Sequence, residues 1–488
     1  MTEQYISWLA SSSATRMILV EVLVSVNGAE VTRYLASHSY VTGPNDMPPN
    51  TEYLSMITGD PVFAEELSLT GEARMSGGEI ELENRDGALD AWCFDVWKNC
   101  TLKVWSGDPS WSRDRFELVL EGVVAGIAPS GSEALTITLG DKMERLNTPI
   151  TEVKLGGVSP NKDAILPIPF GECHNVPLLL KNPGTLEYGL LGSVEWIKDV
   201  RTNGKPVPII VDNAAGNVTL TVNPLANTVT ASVQGENGAG YAPRIAPLVQ
   251  RIATAYGQAS QRLTLADIDT DNFSAFDAAH PQIVGLWVAD RMNAAQAIQQ
   301  LAASVGAQAL ISRTGQLRLV KLALPAAGAP TDIGPEQMLV NTLKPTSWQD
   351  VVAAVKLAFD RNYTVQAGLV TGLPSEHADL YATEWLTETV ADGAMAARHR
   401  LSTNPAQIET CLKNRADAHA EAVRRLAMKV VPRGIYEFDG EPEMSILELG
   451  EPVTLRAPRY GMENGVPGTV VKLMRHLISC RVDVGVLA

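Results

Sequence analysis

The sequence predicts an α+β chain that is mostly β, divided into several domains, with a β-barrel at each end and a mixed α+β middle. Three observations carry this. At 488 residues the chain is too long for a single hydrophobic core. Apolar and polar residues alternate with the period of a half-buried strand near the start, at Ile18, Val20, Val22, Val24 and Val26, and again from Ile435 to Ala488. In that last stretch Cys480, Val482, Val484 and Val486 share one side, with Arg481 and Asp483 on the other. Between the two ends, a helix followed by a hairpin is legible from Asn293 to Leu322.

Each element has its own signal. Residues 1–16, Ser/Ala-rich around Ser11 to Ala14, read as an N-terminal arm that binds a neighbour. A β-barrel or sandwich domain follows over 17–150. Its first hairpin joins Met17–Val26 to Ala29–Ala36 through Asn27-Gly28, a dipeptide suited to tight hairpin turns. Further strands fall at Glu65–Ala73, Gly78–Glu83, Thr101–Trp105, Phe116–Gly122 and Glu133–Leu139. Turn chemistry separates them at Asn84-Arg-Asp-Gly87 and Gly107-Asp-Pro109.

A β-rich middle domain spans 151–243, punctuated by Pro167, Pro169, Pro177, Pro206 and Pro208. Within it Val218–Val222 and Thr228–Val233 suggest a hairpin around Asn223-Pro224. The α+β domain, 244–330, opens with a helix over Arg244–Tyr256. A second helix is capped by Asn293, with Gln296 at the capping-box position and Gly306 as its stop. Ile298, Leu301, Ala302 and Val305 form its buried stripe. Ala307–Arg313 and Gln316–Leu322 then make a hairpin across Thr314-Gly315.

The final domain, 331–488, begins with a strand at Val351–Phe359 that turns at Asp360–Tyr363 and returns. The longest helix is expected over 405–430, with Asn404 as cap, Pro405 at its first position and Gln407 closing a capping box. Ile408, Leu412, His419, Val423, Leu426 and Val430 lie on one face of such a helix. Strands complete the second barrel.

Composition narrows the function. With 39 basic against 55 acidic residues the formal net charge is −16, so the chain lacks the basic surface that grips a nucleic-acid backbone. The 19% charged fraction is low, which suits surfaces covered by other subunits. Five scattered cysteines, at 93, 100, 173, 411 and 480, form no disulfide framework and fit folding in a reducing compartment. Neither a signal peptide nor a membrane-spanning apolar run is present, so synthesis in the cytoplasm is expected.

Each motif that could carry chemistry also has a structural reading. Asp267-Ile-Asp269-Thr-Asp271-Asn272 resembles a calcium loop, but Asn272 stands where the turn glycine belongs and Ala278 where the bidentate Glu belongs. Gly235, Gly238 and Gly240 precede a helix as a phosphate cradle does, without a Lys-Ser/Thr pair. Cys173 and His174 are adjacent, so on an extended chain they point to opposite faces and cannot act as nucleophile and base. The cysteines lack any compact metal-ligand spacing. His419 reads as a satisfied core residue, and Glu79, Glu81 and Glu83 as one solvated strand face. No catalytic, cofactor-binding or metal position is assigned, and the chain reads as a non-enzyme.

The phrase Leu449-Gly-Glu-Pro-Val-Thr-Leu-Arg-Ala-Pro-Arg-Tyr-Gly461, with Gly468-Thr-Val-Val471, resembles the C-terminal part of tailed-bacteriophage tail-tip and baseplate hub proteins. Gly78-Glu-Ile-Glu-Leu-Glu-Asn-Arg-Asp-Gly-Ala-Leu-Asp-Ala-Trp92, Val104-Trp-Ser-Gly-Asp108 and Leu120-Glu-Gly122 are similar to the first domain of that family. Pro167-Ile-Pro-Phe-Gly171, Val284-Gly-Leu-Trp-Val288, Ala303-Ser-Val-Gly-Ala307 and Pro432-Arg-Gly-Ile-Tyr436 follow in the family's order. The resemblance implies a baseplate hub of the long non-contractile tail type. Such a hub is a homotrimer whose tube-like barrels continue the tail tube, and it contacts distal tail, tape measure and fibre proteins. It also implies a place in the virion tail and a part in the DNA ejection conduit. Residues marking a hub's cell-wall-degrading or iron–sulfur domain are missing. A distal tail ring protein, or a tail-associated cell-wall hydrolase using a dispersed carboxylate pair, is the alternative.

Overall fold

Asn27 and Gly28, with φ of 52° and 84°, turn the chain so that Met17–Val26 pairs antiparallel with Ala29–Ala36. The computed structural model, which describes residues 2–69, 74–157, 159–224, 228–323, 331–366, 369 and 371–488, builds a large sheet on this hairpin. Its strand order is Tyr40–Val41, Glu52–Ser55, Ala29–Ala36, Met17–Val26, Thr101–Gly107, Glu117–Pro129, Ala134–Gly140, Glu79–Glu83 and Ile57–Thr58. The inward positions Ile18, Val20, Val22, Val24, Leu102 and Val104 are buried together with Ile80, Leu82 and Ile137. That is the two-residue period doing what it predicts.

A second sheet comes from the far end of the chain. Its order is Thr331–Ile333, Pro452–Leu455, Val466–His476, Val482–Leu487, Gly434–Gly440 and Lys344–Trp348. Val482, Val484 and Val486 point into its core beside Phe438, Val453 and Leu473. Val62–Glu66, an N-terminal strand, adds to this sheet antiparallel to Val466–His476, with Glu66 opposite Lys472 and Val62 opposite His476. In neither sheet does the hydrogen-bonded order return to its first strand among the described residues. The α+β, mostly β class holds, and the expected barrels are open sheets.

That strand exchange changes the domain picture. By contact the chain forms two units, one of Met1–Glu144, Ala309–Asp350 and Pro432–Ala488, the other of Arg145–Gln308 and Val351–Val431. Local pattern shows where strands are but not which distant strand each one pairs with.

In the first unit, residues 1–16 are no free arm. Glu3–Leu9 is a helix, capped by the Thr2 hydroxyl accepting from the Tyr5 amide. Tyr5 and Leu9 are buried against Cys480, with Trp8, Trp111, Val119 and Ile446 around them. Trp8 Nε1 donates to Asp108, and Arg16 donates to the carbonyls of Leu9 and Ser11. The helix spends its apolar face on its own chain.

The second unit holds a five-stranded sheet in the order Lys205–Pro206, Val194–Thr202, Val229–Glu236, Ile168–Pro177 and Gly285–Val288. A four-stranded sheet of Leu179–Asn182, Glu187–Gly189, Asn217–Leu220 and Ile209–Asp212 packs with it around Val176, Tyr188, Leu190, Val218 and Val233. Asn217–Leu220 and Val229–Glu236 thus lie in different sheets, and the hairpin expected around Asn223-Pro224 does not form. Residues 225–227 lie outside the described residues, as do 70–73 of the strand expected at Glu65–Ala73. The helices Ile245–Ala255 and Ala294–Ala303 match expectation, and Ala294, Ala297, Ile298, Leu301 and Ala302 are buried. Asn293 occupies the cap position, but its side chain makes no capping hydrogen bond, so the capping box is not formed.

Two further readings are corrected in this unit. Ala354–Phe359 pairs antiparallel with Leu386–Ala391, across the helix Ser375–Ala382, rather than with a return directly after Tyr363. The long helix is Arg415–Lys429, capped in position by Asn414, and not 405–430. Gln407–Glu409 instead pairs parallel with Lys356–Ala358, and the Thr410 hydroxyl donates to the Ala358 carbonyl at 2.7 Å. Pairing with a waiting sheet edge outweighs the local Asn-Pro-x-Gln signal. The buried face is accordingly Ala418, Glu421, Ala422 and Leu426, while Val423 is exposed.

Candidate functional site

A buried charged cluster sits in the first unit, where sequence-distant segments meet. Along Val62–Glu66 the inward positions are Phe63 and Glu65, and along Val466–His476 they include Leu473 and Arg475. Glu65 and Arg475 form an ion pair with side chains only 5% and 6% exposed. Arg475 Nε also donates to the Ser445 carbonyl at 3.2 Å, and another of its guanidinium nitrogens donates to that of Leu447. Beside them Arg313 Nε stands 3.6 Å from Glu448, which also pairs with Arg318. Burial, then the like charge of Arg475, pushes the Arg313 guanidinium below its ordinary value. Both carboxylates are held by guanidinium groups, so the cluster fastens chain segments together; it does not present a base or nucleophile.

A second feature of this unit is an open cleft of roughly 780 Å³ between the loops 39–47 and 109–114. Its floor is fixed: the Tyr40 hydroxyl donates to the Trp111 carbonyl at 2.9 Å, tying one wall to the other. The 39–47 wall is braced by the Gly43 amide donating to Asp46 at 2.7 Å and the Thr51 amide donating to the Thr42 hydroxyl at 2.7 Å. On the other wall Asp108 accepts from the amide and hydroxyl of Ser110 at 3.0 and 2.7 Å. Beneath, Arg113 is committed to Glu21 at 2.7 Å and lies 3.9 Å from the centre of the Trp105 ring. Burial, with the carboxylates of Asp46 and Asp114 acting in the same direction, pushes the Tyr40 phenol up to about 12.

The motifs singled out from sequence have structural employment. Asp267 closes a capping box with Thr264, and Asp269 caps Thr270–Ala279 by accepting from the Asn272 amide. Gly235 has no room for a side chain, since a Cβ would fall 2.2 Å from the Pro169 carbonyl, and the Gly238 amide donates to Glu236. A carboxylate at that turn opposes a phosphate. Cys173 is buried, its thiol pushed up to about 12, while His174 Nδ1 faces the Ser232 hydroxyl at 3.3 Å. Glu79, Glu81 and Glu83 alternate outward as expected.

His419 is a correction: it is more than half exposed and meets Glu388 at 2.9 Å, with Arg415 on the same carboxylate. Among the described residues no disulfide joins the five cysteines; Cys93 is exposed and Cys173 and Cys480 are buried. Among the described residues no group of His, Cys, Asp and Glu is arranged to hold a metal, and no helix is long and apolar enough to cross a membrane.

The Glu65–Arg475 pair is not among the residues that the sequence singles out. A signal existed: each charge interrupts the apolar face of a strand, which calls for a buried partner of opposite sign. Pairing the two across the length of the chain required the fold.

No family model matches this chain, and no curated protein matches its sequence. Among solved structures it is similar to the 43 kDa tail protein of prophage MuSo2 from Shewanella oneidensis, at 10% identity, covering 96% of this chain and 98% of that one, with a TM-score of 0.40. The tail protein from Neisseria meningitidis MC58 gives 10% identity, 96% of each chain and a TM-score of 0.39. A chain of the virion of a native gene transfer agent gives 13% identity, 71% of this chain and 91% of that one, and 0.41. At these values the likeness is loose and fixes no role for this chain.

Proposed function

We propose that this protein is a structural component of a bacteriophage tail, the baseplate hub at the tail tip that joins the tube to the distal tip and fibres. In this reading it works as a homotrimer without turnover, and its assembled copies line part of the DNA ejection conduit. The observation that carries the reading is the pairing of Val62–Glu66 with Val466–His476, which draws the two ends of the chain into one body with two large sheets. A trimer of such bodies offers six sheet modules, which is what a three-fold adaptor needs to meet a six-fold ring. The ordered phrases from Gly78 to Val471 support the same assignment. A net charge of −16 suits a conduit wall that DNA passes without adhering.

Light scattering on the purified protein over a range of concentrations tests this. A mass three times the 52.4 kDa of one chain is expected, with a three-fold ring and central channel in electron micrographs. A monomer at every concentration, or release of fragments from peptidoglycan by the purified chain, counts against it.

A further inference from the structure

We propose that the cleft between loops 39–47 and 109–114 is a binding site for a short neutral carbohydrate. Its volume of roughly 780 Å³ falls within the range of small-molecule sites. The lining supplies hydroxyls from Ser39, Ser110 and Ser112, an amide from Asn45, and the carboxylates of Asp46 and Asp114. Asp46 gives one oxygen to its own loop and Asp114 gives one to Ser112. The second oxygen of each has no partner among the described residues, and neither do the side chains of Ser39 and Asn45. These are acceptors and small dipoles, the groups that hydrogen-bond paired hydroxyls.

The alternatives fit less well. An anion would meet two carboxylates, and the one buried cation of the floor, Arg113, is already neutralised by Glu21. An apolar ligand would desolvate both carboxylates without repayment in hydrogen bonds. A sugar, by contrast, has hydroxyl donors for the acids and C–H faces for the rim, where Met47 is 81% and Val41 64% exposed. The bracing of both walls means the site needs little ordering on binding.

The full chain, in its native oligomeric state, is tested on an array of short neutral oligosaccharides, with tetralysine as the cationic control and calorimetry on any hit. At least one oligosaccharide is expected to bind, with its Kd raised about tenfold or more by Asn45→Ala combined with Asp114→Ala. Unchanged circular dichroism and native mass would show that the variant is folded. Binding of no oligosaccharide, binding that survives the double substitution, or saturation by tetralysine in place of sugar each overturns the proposal. Trimer formation is read separately, so the two readings fail independently.

Discussion

Glu65 and Arg475 lie on neighbouring antiparallel strands from opposite ends of the chain, and their charges meet in the interior with almost no solvent. Glu65 stands opposite Leu473, which makes Arg475 its diagonal neighbour on the same face of the sheet. Removing one partner leaves the other buried and uncompensated. Glu65→Ala is therefore expected to destabilise the first unit by about 3–5 kcal/mol. Glu65→Leu combined with Arg475→Met, which removes both charges, should recover most of that loss. Denaturant midpoints of the three variants check this, and a double variant as unstable as the single one would refute it.

The N-terminal helix offers a second test. Leu9 is fully buried beside Tyr5 and Cys480. Leu9→Ala should cost about 2–5 kcal/mol, the range for a large core side chain cut to a methyl. A free arm would lose nothing. Hydrogen exchange at the backbone amides of 6–10 should quicken in the variant while the first hairpin stays protected.

Cysteine reactivity should follow burial. The thiolate is the attacking form, and burial pushes the Cys173 thiol up to about 12 and that of Cys411 up to about 11. Cys93 is exposed. Alkylation at mildly alkaline pH, followed by mass spectrometry, should modify Cys93 first and Cys173 and Cys480 only after unfolding. Comparable rates at Cys93 and Cys173 would contradict the burial described here.

Asp141 carries a pH dependence with a definite sign. Burial, reinforced by Glu144, raises its carboxyl to about 6, against the hydrogen bond it accepts from the Met143 amide. Because the folded chain holds this proton more tightly than the unfolded chain, its contribution to stability is present below about pH 4 and lost as pH rises through about 6. Asp141→Asn keeps the acceptor and removes the charge. The variant should be more stable than the parent at pH 7.5 by up to about 3 kcal/mol, with the difference largely gone near pH 4. Melting midpoints at the two pH values measure it, and a difference that grows towards acid would reverse the assignment.

Much of the local structure was legible in the sequence. The Asn27-Gly28 hairpin, the outward alternation of Glu79, Glu81 and Glu83, and the inward face of Val482, Val484 and Val486 follow from a period of two and from turn chemistry, whereas Cys480, expected on that face, precedes the strand and packs against Tyr5 and Leu9. The Ala294–Ala303 helix follows from a period near four. These signals lie within a few residues of one another, so a local reading captures them. The helix set at 405–430 failed because its signal was equally local, while the competing partner, Lys356–Ala358, lies some fifty residues away. The N-terminal segment failed similarly: nothing in Glu3–Leu9 itself reveals that Cys480 waits to cover it.

The sequence alone determined the α+β, mostly β class, the positions of most strands, and an acidic chain with no compact metal-ligand spacing. Tertiary structure alone decided which strands are partners, that the two chain ends form one unit, that Glu65 is answered by Arg475, and that two loops enclose a cleft over Tyr40 and Trp111. The physical reason is range. Side-chain periodicity and turn preference act over a few bonds, whereas a buried charge or an unpaired strand edge is satisfied by whatever the folded chain brings to it, however distant in sequence.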